Sequence, residues 1–487
     1  MEGKLRINTK YRKAECEEGL EPVSPLTEYL LTESFTVFII AVFELDVSVD
    51  FPSTYYYLNH LFLNAHPRFS SIPVEEKKGN KMWKQVEVNV EDHVKVAVFG
   101  EDKSTEYYSN QFDIYISQLA NSKMSLQKPL WELHIFNYPT INGAKATIIF
   151  KFHHALADGI SLMGVVLSCV QRHDDPFKPL SFPTKTTTLR PKNSPDAFMK
   201  VLNFVPQFMA SVFYSFYYFG QSLRMLYHED DRTPVRPKNI KCAPLCASIQ
   251  TLTWSLTDVK RIKTVLGVTV NDVVVGILFL GLRLYMQEIN DGKLQKSRST
   301  MLIAVNPRIM KGYATPEEMC KDKSKLPWGN KTSTIEFLIP NLEENDLKDP
   351  LKFVMKAHNI INRKRNTPFA QFLLGVFLGA VKTFGGFQAA AKLFERRITN
   401  CTFQMTNMIG PIERMSIGNH PVKGFYFMPN GIKSSLVVSV MSYMEMLRIG
   451  FTIDKESIDC PKLITCVENA FQLILQAATT TSNFVAT

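Results

Sequence analysis

The N-terminus, Met1-Glu2-Gly3-Lys4-Leu5-Arg6, has no apolar signal core, so the folded domains are not expected to be secreted. Cysteine is sparse and dispersed. Cys16, Cys169, Cys242, Cys246, Cys320, Cys401, Cys460 and Cys466 form no compact framework, which points to reduced thiols rather than a disulfide scaffold. Cys242 and Cys246 are a single pair, and no further Cys or His stands near them at zinc-ligand spacing, so no metal site is expected. A Gly-x-Ser-x-Gly turn is missing, which argues against a hydrolase-type serine nucleophile. So are the glycine-rich loops that cradle nucleotide phosphates. Repeats and low-complexity tracts are absent too, which excludes solenoids and disordered linkers as the main body.

What remains is a globular chain of 487 residues, 45% hydrophobic, with 34 phenylalanines. That length exceeds one ordinary core and predicts two domains. The net charge is +10, which suggests an anionic partner. The basic residues are scattered without a basic–aromatic recognition module, so nucleic acid is not expected, and plain solubility explains the charge equally well.

The pattern divides at 1–180, 181–245 and 246–487. Strands are predicted at Phe38–Leu45, at Trp131–Phe136 and over the apolar, β-branched run from Ala146 to Phe152. Prolines and basic residues (Pro176, Pro179, Pro183, Lys185, Arg190, Pro191) then read as a linker. From Val201 to Leu223 there are 23 residues without a charge, with eight aromatics between Phe204 and Phe219. That is long enough to span a bilayer, but Asn203, Pro206, Gln207 and the serines weaken a span; two halves that share one active site must lie on the same side, which favours an in-plane or re-entrant membrane helix, with burial between domains the alternative. A second basic linker is expected over Asp230–Lys238.

In the second half, Ser255 is a candidate helix cap and Asn271-Asp272 opens a helix from Val273 to Gln287. Strands are expected at Met301–Val305 and Thr334–Ile339, and a pair at Leu436–Met441 and Leu447–Ile453. The apolar run Phe369 to Val381 is too short to span a membrane and reads as core or tunnel lining. A closing helix is expected from Pro461 to about Ala478.

The informative motif is His153-His154-Ala155-Leu156-Ala157-Asp158-Gly159, between a predicted strand and an apolar helix. Strand ends present chemistry on a rigid scaffold, and histidine exchanges a proton near neutral pH. The plainer alternative is a surface turn, since Asp-Gly is a common turn pair.

The motif resembles the signature of CoA-dependent acyltransferases, and further blocks resemble the wax ester synthase/diacylglycerol acyltransferase family. These are Pro129-Leu130-Trp131, Val270-Asn271-Asp272-Val273-Val274 and Thr406-Asn407-Met408-Ile409-Gly410-Pro411, with Thr406 where relatives carry Ser. Glu21-Pro22-Val23-Ser24-Pro25, His66-Pro67-Arg68-Phe69, Val88–His93 and Trp328-Gly329-Asn330 resemble the plant branch. The resemblance implies an α/β, two-domain, chloramphenicol-acetyltransferase-like fold with an active-site tunnel between the halves.

It also implies transfer of a long-chain acyl group from acyl-CoA, a substrate rather than a cofactor, to a fatty alcohol or diacylglycerol. The expected setting is a membrane surface, the endoplasmic reticulum or plasma membrane, with the active site facing the cytosol. His154 is the implied general base. His153 is expected to pack or hydrogen-bond, and Gly159 to support the turn. Asp158 is expected to pair with an arginine, Arg68 first and Arg308 second. Asn271, followed by Asp272, is expected to serve the oxyanion, brace the domain interface or cap a helix. Thr406 and Asn407 are weaker candidates, with a turn as the alternative. With no nucleophile motif, direct transfer without an acyl-enzyme is the simpler course. The rival from another class is a lipid-binding protein that has lost activity.

Overall fold

In the computed structural model, the described residues are 21–32, 35–75, 81–181, 197–237, 247–290, 296–305, 328–330, 333–365 and 367–486. The strands of the first half are β1 (Glu21–Pro22), β2 (Phe38–Leu45), β3 (Ser71–Glu75), β4 (Lys81–Gln85), β5 (Val94–Val96), β6 (Trp131–Phe136), β7 (Ala146–His153) and β8 (Gln171–Arg172). Those of the second are β9 (Ala247–Ser255), β10 (Thr300–Val305), β11 (Ser333–Leu338), β12 (Phe403–Ile409), β13 (Met415–Ile417), β14 (His420–Asn430), β15 (Leu436–Tyr443) and β16 (Met446–Asp454). One mixed sheet has the order β5-β6-β7-β2-β14-β13-β8, the other β11-β10-β12-β15-β16-β9, and β1-β4-β3 is a small third sheet.

β2 and β7 are buried along all eight residues, because both faces of their sheet are covered. On one face Phe150 and Phe152 meet Phe62, at ring-centroid distances of 5.4 and 6.2 Å. On the other, the Lys151 ammonium caps the C-terminal end of helix Thr105–Asn121, donating to the Leu119 carbonyl at 3.0 Å and the Ser122 carbonyl at 2.6 Å. The helix dipole favours a cation there. Burial still pushes its pKa down to about 8.

β14 crosses the expected division at residue 246. This strand comes from the second half yet pairs with β2 along its length, Tyr426 opposite Val42 and Asn430 opposite Phe38. It also lies across the second sheet, where Ser439 Oγ donates to the Phe427 carbonyl at 2.6 Å and Thr452 Oγ1 to the Pro429 carbonyl at 3.1 Å. Arg448 of β16 reaches Glu44 of β2 at 2.7 Å, with both side chains buried. The Asn430 amide donates to the Ala120 carbonyl.

Two expectations change. The segment Asp230–Pro237 is not a loose linker. The buried Asp230 carboxylate accepts from Thr300 N at 2.6 Å and Thr402 Oγ1 at 2.8 Å, and Arg236 is buried. Phe369 to Val381 is part of helix Pro368–Asn400 and is largely exposed rather than core. The first linker's Pro183, Lys185, Arg190 and Pro191 lie outside the described residues.

The second core is organised by helix Val270–Ile289, which starts in a capping box: Thr269 Oγ1 accepts from Asp272 N, and Asp272 Oδ2 from Thr269 N. Its neighbours, Leu351–Arg365 and Cys460–Ala486, approach over glycines. A Cβ on Gly276 would stand 2.6 Å from Val354 Cα, and one on Gly281 would stand 2.7 Å from Val467 Cα. Backbone cannot yield as a flexible side chain can. Gly281→Ala should therefore destabilise the protein by about 1–3 kcal/mol despite alanine's better helix propensity. Equilibrium denaturation of the two proteins tests this, and an unchanged midpoint would refute the close packing.

Candidate active site

The histidine motif links the last residue of β7 to helix Gly159–Ser168, whose N-cap is Asp158. Backbone bonds pin the loop: His153 N donates to the Leu130 carbonyl at 3.0 Å and His154 N to the Val37 carbonyl at 2.8 Å. His153 is buried, and its Nδ1 accepts from Ala155 N at 3.0 Å. Burial, with His154 and Lys151 nearby, pushes its pKa down to about 3, so it is neutral and its hydrogen-bonding shapes the turn. From Lys151 to Asp158, His154 alone keeps partial exposure.

His154 is oriented from the far half of the chain. Its Nδ1 lies 2.9 Å from Asn330 Oδ1, while Asn330 Nδ2 donates to the His154 carbonyl at 3.0 Å and to Thr27 Oγ1 at 3.2 Å. Those two acceptors fix the amide orientation. Asn330 must then accept from His154, so Nδ1 carries the proton and Nε2 keeps a lone pair. Desolvation lowers the His154 pKa, and Asp158, the ring's bond to its own carbonyl and Asn330 oppose that shift. A neutral ring with a free Nε2 suits a general base.

Blocks without chemistry of their own converge on this pair. Ser24 caps helix Pro25–Leu30 and its hydroxyl donates to Thr27 Oγ1 at 2.8 Å. Trp328 stacks on His66 with centroids 3.8 Å apart. His93 stacks on Trp131 at 4.3 Å, and Trp131 Nε1 donates to the Phe69 carbonyl at 2.9 Å.

Two expectations are corrected, those for Arg68 and Gly159. Arg68 pairs with Glu21 at 2.6 Å rather than with Asp158, and it supports the loop differently, donating to the Leu156 carbonyl at 3.3 Å. It is bound elsewhere because Glu21, on the small sheet, supplies a bidentate partner. Arg308 lies outside the described residues. The Asp158 carboxylate accepts from Ser161 N at 2.9 Å and Ser161 Oγ at 2.8 Å, so it holds the loop by capping the helix. Gly159 has no left-handed backbone, and an added Cβ would make an ordinary 3.6 Å contact with Ile39. The structure does not explain a glycine there.

The second-half candidates form a separate group. Asn271 is neither the helix cap, which is Thr269, nor a brace between halves. Its Oδ1 accepts from Asn407 Nδ2 of β12 at 3.0 Å, and its own amide nitrogen has no hydrogen bond among the described residues. Asp272 is buried and meets His358 Nδ1 at 2.9 Å, a structural position at the helix start. Thr406 and Asn407 stand on a strand, not in a turn. No hydrogen bond among the described residues joins this group to His154. The sequence reading missed Asn330, Thr27 and Ser161 as functional positions. Trp328-Gly329-Asn330 was the one visible signal, and it was legible only as a block.

A test follows from the Asn330 geometry. A general base at His154 would be protonated below its pKa, which burial lowers from 6.5, so activity should fall only on the acid side. Asn330→Ala removes an acceptor that favours the imidazolium, so the acid limb should move to lower pH. Loss of the fixed tautomer should also cut kcat by about 10- to 100-fold. Asn330→Asp adds a negative charge and should move the limb up. A pH–rate profile with both variants unshifted would leave Asn330 a purely structural residue.

Comparisons with known proteins show the family and the fold. Residues 57–274 match the wax ester synthase/diacylglycerol acyltransferase catalytic domain, and residues 328–475 match the WS/DGAT C-terminal domain. Wax ester synthase/diacylglycerol acyltransferase 6 of Arabidopsis thaliana is 30% identical over 524 residues, covering 96% of each chain. Number 11 of that plant is 30% identical over 460 residues, covering 91% of each. Among solved structures, the wax ester synthase/diacylglycerol acyltransferase from Marinobacter aquaeolei VT8 superposes with a TM-score of 0.57 at 14% identity, covering 94% of this chain and 100% of that one. The starter condensation domain of rhizomide synthetase, solved in complex with C8-CoA, gives 0.53 at 10% identity, covering 94% of each chain. These structures show the fold, an α/β pair of halves in the acyltransferase and condensation-domain style. With relatives matching across nearly its whole length, the chain belongs to the wax ester synthase/diacylglycerol acyltransferase family, a family of acyltransferases.

Proposed function

We propose that this protein transfers a long-chain acyl group from acyl-CoA to a fatty alcohol, forming a wax ester, with diacylglycerol as a second acceptor. The observation that carries the reading is His154, the one accessible residue of its loop, held with Nδ1 occupied and Nε2 free. Nε2 takes the proton of the alcohol hydroxyl as the oxygen attacks the thioester carbonyl. The tetrahedral intermediate collapses, the carbon–sulfur bond breaks, and the departing thiolate takes the proton back from the imidazolium to give free CoA. The lowered pKa keeps the base unprotonated at neutral pH. Asn271, with its Oδ1 engaged and its N–H donors spare, is the side chain we assign to the oxyanion.

The net charge of +10 suits the CoA phosphates and an anionic membrane surface. The reading places the enzyme on the endoplasmic reticulum with its active site toward the cytosol. The test supplies membranes containing the protein with palmitoyl-CoA and either hexadecanol or diacylglycerol, beside a His154→Ala version. Wax ester from the native chain should fall by about 10²- to 10⁴-fold in the variant. Triacylglycerol as main product would reverse the order of acceptors. Ester that survives the substitution would remove His154 as the base, and no ester from either acceptor would favour a lipid-binding protein without turnover.

A further inference from the structure

Helix Pro368–Asn400 has 33 residues and a mean hydropathy, in its most apolar part, of 1.4. Straight, it would run roughly 50 Å and could cross a bilayer. Its two ends, however, meet at one carboxylate. The buried Glu336 accepts from Lys364 Nζ at 2.7 Å, just before the helix begins, and from Arg397 near its end. Leu374 and Leu393, nineteen positions apart, share one buried cluster with Leu226, and Phe219, Leu223 and Phe377 pack against it. The helix therefore folds back on itself. The reversal is at Gly386, whose φ of 79° and ψ of 169° are not helical and suit glycine. Each arm is then roughly 20–27 Å long, short of a bilayer core.

This hairpin packs against helix Ala197–Tyr227, and each presents an apolar stripe to solvent. Phe369, Phe372 and Val376 recur at helical spacing on one arm, and Met209, Phe213 and Phe216 on the partner helix. Phe372 is 62% exposed, Phe213 68%, and Phe384, beside the reversal, 90%. Monomers in water rarely leave such rings bare. The surrounding charge has one sign: neither helix carries an acidic residue before Glu395, while Arg224, Lys382, Lys392 and Arg396 are exposed. Basic residues beside an apolar stripe match an anionic headgroup layer over acyl chains.

We propose that the hairpin and helix Ala197–Tyr227 form a wedge that inserts into one leaflet of an anionic lipid surface, with Phe384 at its tip and the lysines at headgroup level. It deepens the proposed function by saying where the enzyme meets lipid. Ser222 of helix Ala197–Tyr227 also bonds Glu336, at 2.7 Å, so the wedge is anchored as one piece to β11.

The test uses the full chain and vesicles of phosphatidylcholine, with or without phosphatidylserine, and reads binding without turnover. The native protein should float with the mixed vesicles more than with phosphatidylcholine alone. A Phe213→Glu/Phe384→Glu variant should bind about 10-fold less or worse, while Phe177→Glu, at an exposed ring of the first half, should bind normally. Phe384→Trp and Phe213→Trp should be quenched most by lipids brominated near the headgroup end of the chain. Strongest quenching from the bilayer centre would replace the wedge with a span. Vesicle binding without quenching at either tryptophan, or no binding at all, would overturn it, the latter leaving these faces for a protein partner. Because turnover is not read, a chain that binds but makes no ester overturns only the proposed function, and one that makes ester without binding overturns only the wedge.

Discussion

The geometry of the candidate site rests on one carboxamide. Asn330 donates to the His154 carbonyl and accepts from the His154 ring, so one side chain fixes both the backbone and the tautomer of the same residue. A histidine at a strand end can rotate and exchange tautomers freely, and each alternative places its lone pair elsewhere. Burial lowers the pKa of that ring, and Asp158, the ring's bond to its own carbonyl and Asn330 oppose the shift.

Because Asn330 arrives from beyond β10, its bonds to His154 form only when the two halves are docked. The docking is built from β14, which belongs to the first sheet by hydrogen bonding and to the second half by sequence. The buried Glu44–Arg448 pair stands on the same seam. Such a pair adds little net stability, since desolvation offsets the attraction, but a shifted register would leave two charges buried alone. The seam therefore constrains alignment more than it adds stability, and alignment is what the Asn330 bond requires.

Much of the local structure was legible. β2 and β6 fall where hydrophobic runs put them, β15 and β16 pair as expected, and Ser255 caps its helix. These depend on neighbours in sequence. The partners of His154 and Arg68 do not. The Asp158 cap on Ser161, three residues away, is by contrast local and needs no loop closure. Arg68 had Glu21, fixed by a small sheet whose strands carried no strong signal. β14 was hidden because Pro429 interrupts a pattern that, alone, does not read as a central strand.

The seam also settles how the long apolar helices can lie if the protein sits on a bilayer. β2 and β7 precede helix Ala197–Tyr227, and β9 to β16 follow it, yet β14 pairs with β2 in one sheet. A sheet cannot have strands on opposite sides of a membrane, since its ladder would have to pass through hydrocarbon. The helix must therefore leave and return on one face. The same holds for Pro368–Asn400, with β11 before it and β12 after it in one sheet. Hydropathy counts apolar residues and is blind to this closure, which is why the run passes for a span. The Gly386 reversal satisfies the constraint for the second helix. The first packs against that hairpin through Phe219, Leu223 and Leu226, so the same closure holds it to the hairpin's side of the sheet.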